Sequence, residues 1–293
     1  MVEYCSKTFV QLGQCAVVIR NYSQSLEPSL QFLLRDLKSE KSRTEIEFTI
    51  DDGKTDAKEY VIKRGDSFPH RAKTAGEVCT YLIGEIIYHL IDKNEKDLLL
   101  HAACLTYNGM GLLLPGVSGA GKSTITAWLL ENGFGYLTDE IVSVNLGTWL
   151  TEGLARPLNI KLLGMEAIRN AKIGKLENAT ILDSSISHLV EHRAFNPHFV
   201  RETTHIKVIV FPRYSATKDF SLTEISSAKV TLLLMQAFVN ARNHAEHGFH
   251  DISKFARSVK GLELTYSNFD ELAALKQKLL EMMTDQRFKK PTS

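Results

Sequence analysis

Cysteine is scarce in this chain and forms no pattern. The four cysteines, Cys5, Cys15, Cys79 and Cys104, are widely spaced with no CxxC pair. That spacing offers no disulfide framework and no zinc site, and it suits reduced thiols. Net charge is almost absent: 35 Lys and Arg stand against 34 Asp and Glu, leaving +1. Bulk charge therefore leaves no footprint for nucleic acid or another polyanion. Long apolar runs are missing too, and none approaches the roughly 18 residues of a membrane span. The opening MVEYCSKTFVQLGQ lacks the basic-then-apolar layout of a signal peptide. These absences predict a soluble, cytoplasmic protein that engages neither nucleic acid nor membrane. Internal repeats and low-complexity tracts are also lacking. With 44% apolar and 24% charged residues, the composition suits one large globular domain or two small ones.

Several elements can be read from pattern. TEIEFTI (44–50) and YVIK (60–63) predict strands around the polar turn DDGKTDAK. From Thr74 to about Asp92, Val78, Leu82, Ile83, Ile86, Ile87, Leu90 and Ile91 recur at helical spacing. The charged DKNEKD that follows marks a composition shift and an expected domain boundary. LLLHAACLTY and GLLLPG then read as strands joined by NGMG. Residues 226–240 and 270–283 read as helices, and RFKKPTS as a disordered tail.

The strongest motif is GVSGAGKS, Gly116 to Ser123, which fits G-x-x-x-x-G-K-[ST] in full. An apolar strand leads in, and STITAWLLENG leads out as a helix stopped by Gly133. The nucleotide-binding residues expected here are Gly116, Val117, Ser118, Gly119, Ala120, Gly121, Lys122, Ser123 and Thr124. Glycines let successive N–H groups turn toward one anion, and the helix N-terminus adds partial positive charge. Lys122 supplies a point charge for the β- and γ-phosphates, and Ser123 a hard hydroxyl oxygen for Mg²⁺. The predicted ligand is a nucleoside triphosphate, ATP or GTP, with Mg²⁺.

The scaffold around the loop is unusual. The acid pair Asp139–Glu140 lies only 17 residues beyond Lys122, counted to Asp139. EIVSVNL, GT and WLTEGL then read as strand, turn and strand with no helix between, and LNIKLL (158–163) as another strand. Such a meander predicts a mixed sheet rather than a doubly wound one.

Residues 101–140, HAACLTYNGMGLLLPGVSGAGKSTITAWLLENGFGYLTDE, resemble the core of the HPr kinase/phosphorylase-related proteins. ARPLNIK (155–161) and IKVIVFPRY (206–214) resemble the shorter HPr-kinase-related branch, and the resemblance extends over about residues 97 to 270. It implies an α/β fold: a mixed-sheet, phosphoenolpyruvate-carboxykinase-like P-loop kinase core at 96–285. A small α+β region of unassigned role (1–95) would precede it and a disordered tail (286–293) follow. The activity implied is transfer of a γ-phosphoryl group to a hydroxyl, with serine on a small protein or peptide as first-choice acceptor. A small-molecule kinase for a sugar or amino acid is one alternative. A nucleotide-regulated binding module with little or no catalysis is another. Related kinases form oligomers, so a homo-oligomer is an expectation of the same kind.

The resemblance also implies roles. Asp139 is the candidate general base, Glu140 a Mg²⁺-linked acid beside Ser123, and His101 a neighbour of the transferred phosphate. A carboxylate within hydrogen-bond reach can take the proton of an attacking hydroxyl. Developing negative charge wants a cation, and Arg156, Lys161, Arg193, Arg201 and Arg213 are candidates. Arg213 is assigned to the nucleotide, and Arg156, Lys161 and Arg201 to substrate or transition-state charge. Two positions depart from the family: Thr124 follows Ser123 where authentic HPr kinases carry an acid, and Thr204, with Arg201 upstream, falls near the place of the arginine that precedes their strand after the substrate loop. The implication therefore stops short of HPr itself and of a phosphorylase reaction. The histidines of 188–205 and His244, His247 and His250 show no zinc spacing. The long, polar, proline-interrupted 183–204 predicts a mobile loop over the site.

Overall fold

The computed structural model describes residues 4–40, 46–53, 59–67, 69–117, 119–184 and 186–284. The tail expected at 286–293, Ser118 of the glycine loop, and the first two residues of the strand expected at 44–50 lie outside them.

The first sheet has five strands in chain order. β1 (Ser6–Leu12) and β2 (Cys15–Asn21) form a hairpin that turns at Gly13, φ +57. After α1 (Glu27–Leu34), β3 (Ile46–Asp52) joins β2 in parallel; β4 (Tyr60–Arg64) and β5 (His70–Ala72) add antiparallel. α2 (Ala75–Lys93) packs across this layer. Thr74 caps it by accepting the Glu77 N–H at 3.1 Å. The buried stripe is the one read from spacing: Val78, Leu82, Ile83, Ile86 and Leu90.

This core continues past the charged stretch DKNEKD. Leu99, Ile141, Leu154 and Leu189 belong to the same buried cluster. Within the stretch, Asn94 and Asp97 are themselves buried. The Asn240 amide donates to the Asn94 and Asp97 carbonyls at 2.8 and 3.0 Å and accepts the Leu99 N–H at 2.8 Å. Buried backbone groups need such partners, so the junction is fastened rather than loose.

β6 (Asp97–Tyr107) and β7 (Met110–Pro115) pair antiparallel across Asn108–Gly109, at φ 50 and 74. Both positive angles suit the Asn-Gly hairpin turn. α3 (Lys122–Glu131) follows, and Gly133 ends it at φ +92. β8 (Gly135–Thr138), β9 (Ile141–Asn145) and β10 (Leu150–Gly153) then return with no intervening helix. β11 (Leu158–Lys161) stops two residues before the expected end of its strand. Leu162 instead opens α4 (Leu162–Asn170), whose Met165 and Ile168 bury at helical spacing. β12 (Ile181–Asp183) and β13 (Ser187–Val190) make a small sheet with β11, in the order β11-β13-β12. β14 (Thr204–Tyr214), β15 (Ser221–Ile225), α5 (Ser227–Ala237), α6 (Phe249–Arg257), β16 (Lys260–Tyr266) and α7 (Leu272–Thr284) complete the chain.

The large sheet has eight strands in the order β10-β9-β6-β7-β14-β16-β15, with β8 also beside β6. β14 runs parallel to β7 and β16, and the other pairings are antiparallel. The sheet is therefore mixed, as the meander predicts. Its strands read as continuous apolar runs because both faces are covered. Leu112 and Leu114 pack with Ile125 of α3, Met165 of α4 and Leu272 of α7, whereas Leu113 packs with Leu234 of α5 and Phe255 of α6. No helix among the described residues is long and apolar enough to cross a membrane.

The segment expected as a mobile loop, 183–204, carries β13 and a 3-10 turn at His192–Ala194. Its His192 and Arg193 are anchored on Asp36 of the N-terminal region.

Candidate active site

The glycine loop joins β7 to α3. Gly119 and Gly121 both sit at φ +88, where a side chain is strained. Gly121 is constrained a second time: a Cβ there would stand 2.0 Å from the Tyr266 hydroxyl oxygen. Tyr266 ends β16, two strands away from β7, so long-range sheet pairing fixes one wall of the loop. Ala120 donates its N–H back to Val117 at 3.2 Å, and Val117 itself is exposed. Thr124 sits in the first turn of α3, its hydroxyl 2.9 Å from where a Cβ at Gly164 would lie.

Lys122 is buried within this turn. Its ammonium contacts the Gly116 carbonyl and lies 3.3 Å from both the Val117 carbonyl and His101 Nε2. Burial holds the amine below its ordinary pKa; Glu140 and Asp139 oppose this, and nearby Lys161 reinforces it. An ammonium only donates, so His101 Nε2 is the acceptor and Nδ1 carries the imidazole hydrogen. Nδ1 faces Glu140, 3.1 Å from its carbonyl and 3.3 Å from its carboxylate.

β8 ends at Thr138 and β9 starts at Ile141, so Asp139 and Glu140 occupy the bend between them. On a continuing strand the two would face opposite ways. The bend brings both to Arg156: Nη2 lies 3.3 Å from Asp139 Oδ1 and contacts Glu140 Oε2 directly. Arg156 is 2% exposed. Burial would lower its pKa, but Asp139 and Glu140 together raise it. Burial likewise pushes Glu140 up, and Arg156 and His101 outweigh it, holding the carboxyl at about 2. Asp139 Oδ2 accepts the Ser123 hydroxyl at 3.1 Å and the Asn159 N–H at 3.0 Å. Sequence and fold thus bring Lys122, Ser123, His101, Asp139, Glu140 and Arg156 into one cluster.

Lys161 stands exposed just before α4, near enough to act on Lys122. Arg213 is exposed near the end of β14 and forms no ion pair among the described residues. The β14–β7 register, with Ile209 opposite Leu113, carries it to the level of the loop. Two expected cations are elsewhere. Arg201 donates to the Lys38 and Gln11 carbonyls at 2.8 and 3.4 Å. Arg193 holds Asp36 through both terminal nitrogens at 2.5 and 2.9 Å. The segment carrying them packs on the N-terminal region, so neither guanidinium joins the acid pair.

Two residues in the cluster carry no sequence signal. Tyr136 donates its hydroxyl to the Arg156 carbonyl at 2.7 Å and lies 3.4 Å from Asp139 Oδ1. Burial, with Asp139 beside it, pushes that phenol well up. Tyr266 is the other, and its contact with Gly121 follows only from the strand order. Among the described residues no group of three or more His, Cys, Asp or Glu side chains is placed to hold a metal. Ser123 Oγ and Asp139 Oδ2 remain a pair of hard oxygen donors of the kind Mg²⁺ uses alongside phosphates and water.

No family model matches the sequence. The HPr kinase/phosphorylase of Clostridium botulinum (strain Eklund 17B, type B) is 28% identical over 116 residues, and that of strain Alaska E43 (type E3) is equally so. The match covers 39% of this chain and 38% of the length of these curated relatives. The solved structure of the Hpr(Ser) kinase/phosphatase from Coxiella burnetii covers 62% of this chain and 97% of its own, at 11% identity and a TM-score of 0.31. That superposition is too loose to add to the sequence match. Through the matched stretch, the chain is related to the HPr kinase/phosphorylase family.

Proposed function

We propose that this chain is a Mg²⁺-dependent kinase that passes the γ-phosphoryl group of ATP or GTP to a hydroxyl, with serine on a small protein or peptide as acceptor. The observation that carries the proposal is the convergence of Lys122, Ser123, His101 and the Arg156-held acid pair at the start of α3. Loop and helix N–H groups favour a polyphosphate there. Lys122, now on loop carbonyls, has phosphate oxygens as its stronger partners. Ser123 and Asp139 supply the oxygens that would hold Mg²⁺. When bound, the metal offsets charge on the β- and γ-phosphates.

Accessibility separates the two acids. The Asp139 side chain is 0% exposed, while Glu140 and His101 are 26% and 33% exposed. Glu140 and His101 are the two that meet an acceptor hydroxyl at the surface of the site, whereas Asp139 faces inward to Ser123. The distances support a division opposite to the one expected from sequence: Asp139 with Ser123 on the metal side, Glu140 and His101 on the acceptor side. Held at about 2, Glu140 is a weak proton acceptor at neutral pH. We assign the proton-accepting role to His101, whose Nδ1 Glu140 holds at 3.1 and 3.3 Å so that Nε2 faces the site. Arg156 holds the acids, and Arg213, exposed and in no ion pair among the described residues, is the cation assigned to the nucleotide. The relatives named HPr kinase/phosphorylase favour a polypeptide acceptor.

The test uses γ-labelled ATP, Mg²⁺ and a cell extract split into macromolecular and small-molecule fractions. Label in a polypeptide band, lost with Lys122→Ala and with His101→Ala, is the expected result. Label only in the small fraction would replace the acceptor with a metabolite. ATP that binds but never loses its label would end the kinase reading.

A further inference from the structure

We infer that the N-terminal region sets the position of the catalytic acids through His192 and Tyr136, which act as positioning residues; this rests on the kinase reading above. Asp36, two residues beyond α1, accepts His192 Nε2–H at 2.8 Å and both Arg193 terminal nitrogens. That bond fixes the rotation of a ring that is 2% exposed. The fixed imidazole lies nearly flat on Tyr136, with centroids 4.5 Å apart and planes 24° apart, and leans on Phe199 at 4.7 Å. Tyr136 in turn grips the Arg156 carbonyl and approaches Asp139. Three contacts therefore join residue 36 to the residues that hold both acids.

Packing alone does not call for this arrangement. A buried phenol needs one hydrogen-bond partner, and many carbonyls would serve. This one binds the backbone of Arg156, whose guanidinium holds Asp139 and Glu140 together. An Asp36–Arg193 ion pair with the His192 ring hydrogen-bonded to it is also not the simplest way to fill this space, since apolar side chains of similar volume often stabilise a buried site as well. What the charges add is orientation. Tilting the imidazole shifts the phenol, and the phenol shifts Arg156 and Asp139 together. Small misplacements of reacting groups are expensive in rate.

The test is a double-mutant cycle on Asp36→Asn and Tyr136→Phe. Asp36 and Tyr136 each touch the His192 ring, one at its edge and one at its face. Each single change is expected to lower kcat about tenfold while KM for ATP stays within about twofold. The double variant is expected to lose no more than about twentyfold, because both changes break one chain of contacts. A loss near a hundredfold, or a kcat unchanged in either single variant, would overturn the inference. Should Asp36→Asn not fold, His192→Phe takes its place, keeping a flat ring and losing the bond to Asp36. If the wild type transfers no phosphoryl group, the kinase reading has failed by itself. The inference is then read from the ratio of ATP affinities with and without Mg²⁺: a reduced ratio in both single variants sustains it, and an unchanged ratio sinks it.

Discussion

Replacing Arg156 with Met leaves two carboxylates in a buried bend without their cation. Breaking a buried ion pair from one side costs about 3–5 kcal/mol. The part owed to Glu140 can be worked separately. Its pKa falls from an ordinary 4.5 to about 2 on folding, worth about 3 kcal/mol at about 1.4 kcal/mol per pH unit. The side chain is 26% exposed, so that figure is an upper bound, and His101 shares it. Folding depresses this pKa, so the stabilisation is complete above about 4.5 and drains away as the pH falls toward about 2. Urea unfolding of both proteins at pH 7, 5 and 3 reads the difference directly. The variant should be less stable by about 3–5 kcal/mol at pH 7, and its deficit should shrink by up to about 2 kcal/mol at pH 3. A deficit independent of pH, or one under about 1 kcal/mol at pH 7, would refute the assignment of Arg156 as the holder of these acids.

Gly121→Ala meets both the Tyr266 oxygen and a left-handed backbone, and should weaken nucleotide affinity at least about tenfold. Adding Tyr266→Phe should recover only part of that in a binding titration, because φ remains +88. Asp139→Asn should leave ATP affinity in EDTA within about threefold while cutting the gain from Mg²⁺ about tenfold; an undiminished gain would move the metal away from Asp139. Asn240→Ala strips the Leu99 N–H and two carbonyls of their partner, and should cost about 3 kcal/mol in chemical unfolding without changing the KM for ATP.

What was legible in the sequence was local. The α2 stripe, the Asn-Gly hairpin and the strand–loop–helix around Lys122 each follow from spacing or turn chemistry within a few residues. The mixed sheet was legible from the lack of helices between β8, β9 and β10, but its order was not. β14 meets β16 in parallel across an intervening strand and two helices, and nothing near Tyr266 announces that it will rest on Gly121. Cations were harder still. Arg156, Arg193 and Arg201 look alike as residues; the bend at 139–140 brings the first to the acids, while Asp36 holds the second and the Lys38 and Gln11 carbonyls the third. The charged stretch before β6 shows its polarity in the sequence but not that two of its residues, Asn94 and Asp97, serve a buried hydrogen-bond cluster around Asn240.

Phosphoryl transfer by this chain is read most simply in a single-turnover time course with γ-labelled ATP, Mg²⁺ and the macromolecular fraction of an extract. Wild type and His101→Ala are followed side by side, and the labelled product is identified after acid hydrolysis. The account predicts ADP and phosphoserine appearing together in equal amounts in the wild type, with both slowed in the variant. ATP left intact, or label released only as inorganic phosphate, would contradict it.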